Sequence, residues 1–194
     1  MSPETFEQFV QASCPFESKA LTIKRDRALL WVLFDTGITL SEACALHLTD
    51  VDPMMGILFV RGKGGKVRRI PIGSTCLSHL LSYLAQAYPG KKNALSRRKK
   101  GDDPLFVSEQ GHGLTKSSLT SLMSRLRTRA GGSETVMTPQ NLRHSFALRY
   151  LRAGGDPQSL QALMGYEGMA PIRQYLRWHD QWLLDQMQRG TEEV

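Results

Sequence analysis

The stretch from Asp50 to Ile72 constrains the fold most, because its apolar pattern differs from that of the rest of the chain. Ile57 to Val60 is a short run of the residue types that strands favour, and Val67 to Ile72 is a second one. Gly62 to Gly65 lies between them and supplies turn residues. The stretch therefore predicts an antiparallel hairpin with a glycine-rich, lysine-bearing tip.

The other segments show helical periodicity. Apolar residues between Leu29 and Phe34 recur on one helical face, and Gly37 is expected to end that helix. A further helix is expected to begin near Ser41, with Ser41 as its cap. The chain thus predicts a mainly α fold with a small antiparallel β-sheet, in the α+β class.

The length of 194 residues suits one domain, or at most one domain with an appendage. We expect residues 1–20 to form an N-terminal arm or short helix and residues 21–194 to form the domain, including a C-terminal helix. The longest apolar run, Ala28 to Phe34, has seven residues, whereas a bilayer span needs roughly 20. Because the first residues also lack the features of a secretory signal, a cytoplasmic protein without membrane contact is expected.

The cysteines argue against a disulfide framework or a zinc site. Cys14, Cys44 and Cys76 are an odd number, lie about thirty residues apart and form no close pair. Reduced thiols in a reducing compartment are the expectation, and no metal is expected.

The net charge of +7 comes from one part of the chain. Residues 1–60 carry four bases and eight acids, and residues 101–194 carry ten of each. Residues 61–100 carry eleven bases and no acid. Such a local field suits a polyanion, of which nucleic acid is the commonest, although a solvated basic surface without a partner is the alternative.

Five motifs occur in an order that resembles the catalytic domain of the tyrosine recombinases, the phage integrase family. The resemblance covers roughly residues 20 to 180. The motifs are, in chain order, Thr36 to Glu42, Gly62 to Lys66, Asn141 to Ala147, Leu163 to Tyr166, and Tyr175.

The resemblance implies a tyrosine that attacks a DNA phosphodiester and forms a 3′-phosphotyrosine, without a metal or nucleotide cofactor. It assigns Tyr175 as the nucleophile, Lys63 as the general acid and Arg143 as a phosphate-binding arginine. Three other family positions are substituted. Thr39 stands where the first arginine belongs, Gln140 replaces the first histidine, and Tyr166 replaces the second histidine or tryptophan.

The loss at position 39 matters most, because a short neutral hydroxyl replaces a bidentate cation. Gln140 and Tyr166 can still donate hydrogen bonds. The site is therefore expected to be degenerate. Arg61 or Arg68 is a candidate to reach into the gap.

Structural alternatives stand beside several of these roles. Arg143 could form an ion pair with Glu42, and Tyr175 could be a core aromatic. His144 is expected to pack or hydrogen-bond within the fold. His179 lies one turn beyond Tyr175 and could replace a lost donor, but it is expected to be exposed. The apolar stripe on the C-terminal helix, which contains Leu183, Leu184 and Met187, either covers the protomer's own core or docks on a second copy in a homo-oligomer.

The leading hypothesis is a double-stranded DNA-binding protein of this family in which strand cleavage is impaired or lost, with a regulatory, architectural or recombination-accessory role. An active site-specific recombinase is the alternative, and a protein-interaction module that no longer binds DNA is weaker because the acid-free stretch is present. The expected DNA contacts are Arg61, Lys66, Arg68, Arg69, Arg97, Arg98, Lys99 and Lys100.

Overall fold

A computed structural model describes residues 1–14, 20–88, 103–131 and 137–192. In these ranges the helices are α1 (Pro3–Ser13), α2 (Leu21–Thr36), α3 (Leu40–Cys44), α4 (Ser74–Ala87), α5 (Lys116–Arg129), α6 (Pro139–Arg152), α7 (Pro157–Met164) and α8 (Ala170–Glu192). The strands are β1 (Val51–Asp52), β2 (Ile57–Arg61) and β3 (Val67–Pro71). The predicted fold class is confirmed, since the fold is mainly helical with one small antiparallel sheet.

Helix α2 forms the centre of the fold. Its residues from Arg25 to Phe34 are all buried, and it packs against α4 and α6. The ring of Phe6 on α1 stacks on Phe34 at 3.9 Å and meets Trp31 edge-on at 5.0 Å. Helix α1, from the segment predicted as an N-terminal arm or short helix, is therefore part of the same hydrophobic core.

The sheet has the order β1-β2-β3 and consists of antiparallel pairs. Leu58 lies opposite Ile70, and Val60 lies opposite Arg68. Paired residues share a face of the sheet, so Arg68 lies on the same face as three buried aliphatic side chains. At the hairpin tip, the Gly62 amide donates to the Lys66 carbonyl at 2.8 Å.

A second hydrophobic cluster joins α6, α7 and α8. Its buried members include Phe146 from α6, Leu160 from α7, and Ile172 and Tyr175 from α8. Because α8 is anchored through this cluster, the orientation of its first half relative to α6 is fixed.

The second half of α8 exposes Leu183, Leu184 and Met187, and Trp178 is exposed further towards its start. Docking of this stripe on a second copy of the chain stays a prediction. No helix in the described ranges is both long and apolar enough to span a membrane.

Candidate active site

Arg143 on α6 connects three segments of the fold. Its Nη1 donates to the Gly37 carbonyl at 2.6 Å, and its Nη2 donates to the Met164 carbonyl at 2.7 Å. Its Nε lies 3.4 Å from the Tyr166 hydroxyl, and the guanidinium carbon lies 4.8 Å from the centre of the Tyr166 ring. The guanidinium is therefore held where α2 ends, α7 ends and Tyr166 begins the following loop.

Thr39 is the N-cap of α3. The Glu42 amide donates to Thr39 Oγ1 at 3.2 Å, while the Thr39 amide and hydroxyl donate to Glu42 Oε2 at 2.8 and 2.9 Å. The helix thus begins at Leu40, and the prediction that Ser41 caps it is wrong. Thr39 is the cap because Glu42, three positions later, accepts a hydrogen bond from the Thr39 amide and thereby completes a capping box.

Glu42 pairs with Arg68, so the alternative pairing of Glu42 with Arg143 is wrong. Arg68 Nη1 lies 2.6 Å from Glu42 Oε1, and Arg68 Nε donates to the Leu163 carbonyl at 2.7 Å. Burial would raise the pKa of Glu42, but the hydrogen bonds from Arg68 and Thr39 outweigh it and lower that pKa. A carboxylate therefore occupies the space between Thr39 and the Arg68 guanidinium.

The two arginines meet the end of α7 at neighbouring carbonyls, Leu163 for Arg68 and Met164 for Arg143. Gly165 follows with a left-handed backbone at φ +69°, and a Cβ built on it would lie 2.9 Å from Arg68 Nη1. A glycine at this position lets the Arg68 guanidinium pack against the backbone.

Tyr175 on α8 is buried, with 3% of its surface exposed. Its hydroxyl lies 2.9 Å from His144 Nδ1. Burial raises the pKa of Tyr175, the neighbouring Tyr166 hydroxyl adds to this rise, and Arg143 opposes it. The phenol is thus neutral at physiological pH.

His144, on α6 directly after Arg143, was expected to pack or hydrogen-bond within the fold, but its partner Tyr175 was not foreseen. Burial lowers the pKa of His144, and the charge of Arg143 lowers it further. Trp178 meets the rings of both His144 and Tyr175 edge-on, at 5.4 and 5.6 Å between ring centres. No sequence period relates His144 to Tyr175, because their contact joins two helices across 31 positions.

The structure thus brings together Arg143, Tyr166 and Tyr175 from the predicted set, with Thr39 linked to Arg68 through Glu42. Lys63 at the hairpin tip and Gln140 at the start of α6 are exposed. Within the described ranges, no group of three or more His, Cys, Asp or Glu side chains is arranged to hold a metal ion.

The predicted DNA contacts on the hairpin differ in their surroundings. Lys66 and Arg69 are exposed, and Arg61 is exposed but pairs with Asp50 Oδ2 at 2.7 Å. The Arg68 side chain faces inwards and is largely buried. Arg97, Arg98, Lys99 and Lys100 lie outside the described residues.

A family model described as the phage integrase family matches residues 1–181. Among curated proteins, tyrosine recombinase XerD of Oceanobacillus iheyensis is 33% identical over 151 residues, which are 78% of this chain and 49% of the relative. Tyrosine recombinase XerC of Bacillus subtilis is 36% identical over 151 residues, or 78% of this chain and 48% of the relative. The chain spans about half the length of these curated relatives.

Among solved structures, XerA recombinase superimposes with a TM-score of 0.76 and 28% identity, covering 98% of this chain and 64% of that one. XerH site-specific recombinase bound to palindromic difH substrate, in a post-cleavage complex, gives a TM-score of 0.74 and 26% identity. That match covers 96% of this chain and 52% of XerH.

Proposed function

Because the chain belongs to the phage integrase family of tyrosine recombinases, we propose that it binds double-stranded DNA and that its strand-cleavage step is impaired or lost. The observation that carries the second half is the capping box of Thr39 with Glu42. The first half rests on the family, on the acid-free basic stretch and on the DNA-bound state of the similar XerH structure.

Position 39 holds a neutral threonine that is engaged in the capping box, so it offers no cation to a phosphate. Cleavage of a phosphodiester spreads negative charge over the non-bridging oxygens, and an arginine at such a transition state is worth roughly 10³–10⁵ in rate. The Thr39 hydroxyl donates to the Glu42 carboxylate. The group beside position 39 is therefore an anion, which repels a phosphate, and the hydroxyl is already engaged. Both features weaken binding of the transition state.

Arg143 also has limited capacity left. A guanidinium has five N–H groups, and three of its hydrogen-bond directions are used by Gly37, Met164 and Tyr166. The remaining N–H groups can bind one phosphate oxygen pair at most. A single arginine would then carry a charge that the family pattern divides between two.

Burial of Tyr175 acts in the same direction. A nucleophilic oxygen must reach phosphorus, yet this hydroxyl is almost fully enclosed and bonded to His144. Cleavage would first require α8 or the side chains around it to move. DNA binding needs no such movement.

An active recombinase is the second candidate, because Arg143, Tyr166 and Tyr175 lie together as one site. In that reading Tyr175 is the nucleophile, Lys63 the general acid and Arg143 the phosphate clamp, assisted by Gln140 and Tyr166. No metal or nucleotide cofactor takes part. A regulatory, architectural or accessory role fits the first candidate, whereas DNA integration or excision fits the second.

Mapping of bound DNA in cells, by crosslinking and sequencing, tests the first half and supplies the DNA for the second. A nicked suicide duplex made from the most enriched segment is then incubated with the protein. We expect strong enrichment of particular segments and little or no covalent adduct.

Failure to enrich any segment would refute DNA binding. Efficient adduct formation by the wild type that disappears in Tyr175→Phe would replace the first candidate by the second.

A further inference from the structure

The Tyr175 hydroxyl lies within hydrogen-bond distance of a ring nitrogen of His144 across the α6–α8 interface. We propose that His144 accepts the phenol proton of Tyr175: it orients the hydroxyl while the site is idle, and it is the base in any cleavage step that the site performs. The inference rests on the proposed assignment of Tyr175 as the reacting residue.

The geometry fixes this pair. His144 Nδ1 and Tyr175 Oη are 2.9 Å apart, which is a normal hydrogen-bond length. The two ring centres are 5.5 Å apart, and Trp178 packs edge-on against both rings. With His144 on α6 and Tyr175 on α8, two packed helices hold the partners in place.

The direction of the hydrogen bond follows from the chemistry of the two groups. A neutral imidazole has one protonated nitrogen and one nitrogen with a free lone pair. That lone pair is a much stronger base than a phenol oxygen, so the arrangement O–H to Nδ1 is preferred over N–H to Oη. His144 is then the Nε2–H tautomer, and Nδ1 is free to accept a proton.

Other groups around the Tyr175 oxygen cannot take this role. Tyr166 and Arg143 are the further neighbours of this hydroxyl, and a phenol or a guanidinium has no basic nitrogen lone pair to accept its proton. Gln140 is exposed, and its amide does not accept a proton at neutral pH. Among the described residues, His144 is therefore the basic nitrogen within hydrogen-bond distance of Tyr175 Oη.

The cleavage step balances with this base. The Tyr175 oxygen forms a bond to phosphorus as its proton passes to His144 Nδ1, which leaves an imidazolium. The bond between phosphorus and the 5′ oxygen breaks, and the ammonium of Lys63 gives a proton to the leaving oxygen. On reversal the 5′ hydroxyl attacks phosphorus and returns its proton to the Lys63 amine, the bond between phosphorus and the Tyr175 oxygen breaks, and the imidazolium returns its proton to Tyr175.

The tautomer of His144 tests the proposal without any DNA. Long-range ¹H–¹⁵N correlation spectra of the full chain, labelled with ¹⁵N-histidine, report which ring nitrogen carries the proton, and His144→Gln assigns the signals. We expect the Nε2–H tautomer at pH 7 and a shift of the Nδ1 resonance in Tyr175→Phe. His179→Gln is the matched control, since His179 lies one helical turn beyond Tyr175, and it should leave the His144 signals in place.

A proton on Nδ1, or a His144 spectrum that is identical in Tyr175→Phe, overturns the proposal. These outcomes are independent of the proposed function, which instead fails through a fast wild-type adduct or a lack of bound DNA.

A rate measurement adds the catalytic half. Glutamine at position 144 can still form a hydrogen bond but cannot take the proton. In a form of the chain that forms the covalent adduct, His144→Gln should therefore slow adduct formation by about 10²–10⁴-fold. An unchanged rate would refute the role as base.

Discussion

At the scale of single residues, position 39 faces two demands that no one side chain meets. A helix N-cap needs an acceptor oxygen close to the backbone, whereas a phosphate site needs a long cation. Thr39 supplies the first through the Glu42 amide, and an arginine has no acceptor at all. In this chain the helix start is stabilised, and the proposed phosphate site lacks the cation that the family pattern places at position 39.

Thr39→Arg should reverse this balance. Loss of the cap is expected to lower the free energy of unfolding by about 1 kcal/mol. The new cation is expected to raise the rate of covalent adduct formation by roughly 10³–10⁵-fold. Urea denaturation and the suicide-duplex assay measure the two effects.

Thr39→Ala is the matched control for this substitution, because it removes the cap without adding a charge. It should lose the same stability and gain no rate. If Thr39→Arg cleaves no faster than Thr39→Ala, then position 39 is not what limits cleavage.

Glu42 should make stability depend on acidity. Its pKa is lower in the fold than in the unfolded chain, where it is 4.5, because Arg68 and Thr39 donate to the carboxylate. The resulting stabilisation is complete above pH 4.5 and is lost as the pH falls through the lower folded value. Glu42→Gln should thus be less stable at pH 7 and should lose less between pH 5 and pH 3. Parallel stability profiles for the wild type and Glu42→Gln would contradict this.

Much of the site could be predicted from the sequence, but its pairings could not. Arg143, Tyr166 and Tyr175 follow from the motifs, whereas the contact of Arg68 with Glu42 joins residues 26 positions apart in different elements. The inward direction of Arg68 was readable, because Arg68 and the buried Ile70 are two positions apart on one strand. The capping role of Thr39 was readable too, since Glu42 stands three positions later.

At the scale of elements, the fold's broad pattern was predictable because each helix carries its own periodicity and the hairpin its own turn residues. The closing of the site around the end of α7 was not. That arrangement depends on side chains of β3 and α6 reaching two consecutive carbonyls, which no local pattern encodes.

Gly165 is the position where this arrangement is most sensitive. An alanine there must adopt a left-handed backbone and place its Cβ 2.9 Å from Arg68 Nη1. Gly165→Ala is expected to lower the free energy of unfolding by about 1–2 kcal/mol from the backbone alone, with a further loss if Arg68 is displaced. Gly168→Ala is the matched control, because its Cβ would meet open space without a left-handed backbone. Equal stabilities of the two variants in urea denaturation would refute this account.

At the scale of the whole molecule, the distribution of charge supports the proposed DNA binding independently of the catalytic groups. The whole net charge of +7 is exceeded by the eleven bases between residues 61 and 100, and the remainder of the chain is net acidic. Such a concentration of positive charge along the sequence favours a polyanionic partner, as the proposed DNA binding requires. Retention of these bases does not depend on retention of cleavage.

Substitution of the exposed bases of the hairpin tests its place in the proposed DNA interface. Lys66 directly precedes β3 and Arg69 lies on it, and both are exposed, so each is expected to neutralise one phosphate. Replacing both by glutamine should weaken binding to all DNA sequences and reduce the slope of log affinity against log salt by roughly 1.8, about 0.9 for each contact. Arg129→Gln is the control, because Arg129 is exposed at the end of α5, near Cys14 and Asp26, and is not part of the hairpin. Titrations by fluorescence anisotropy at several salt concentrations measure the slopes, and a double variant with the wild-type slope would remove the hairpin from the DNA interface.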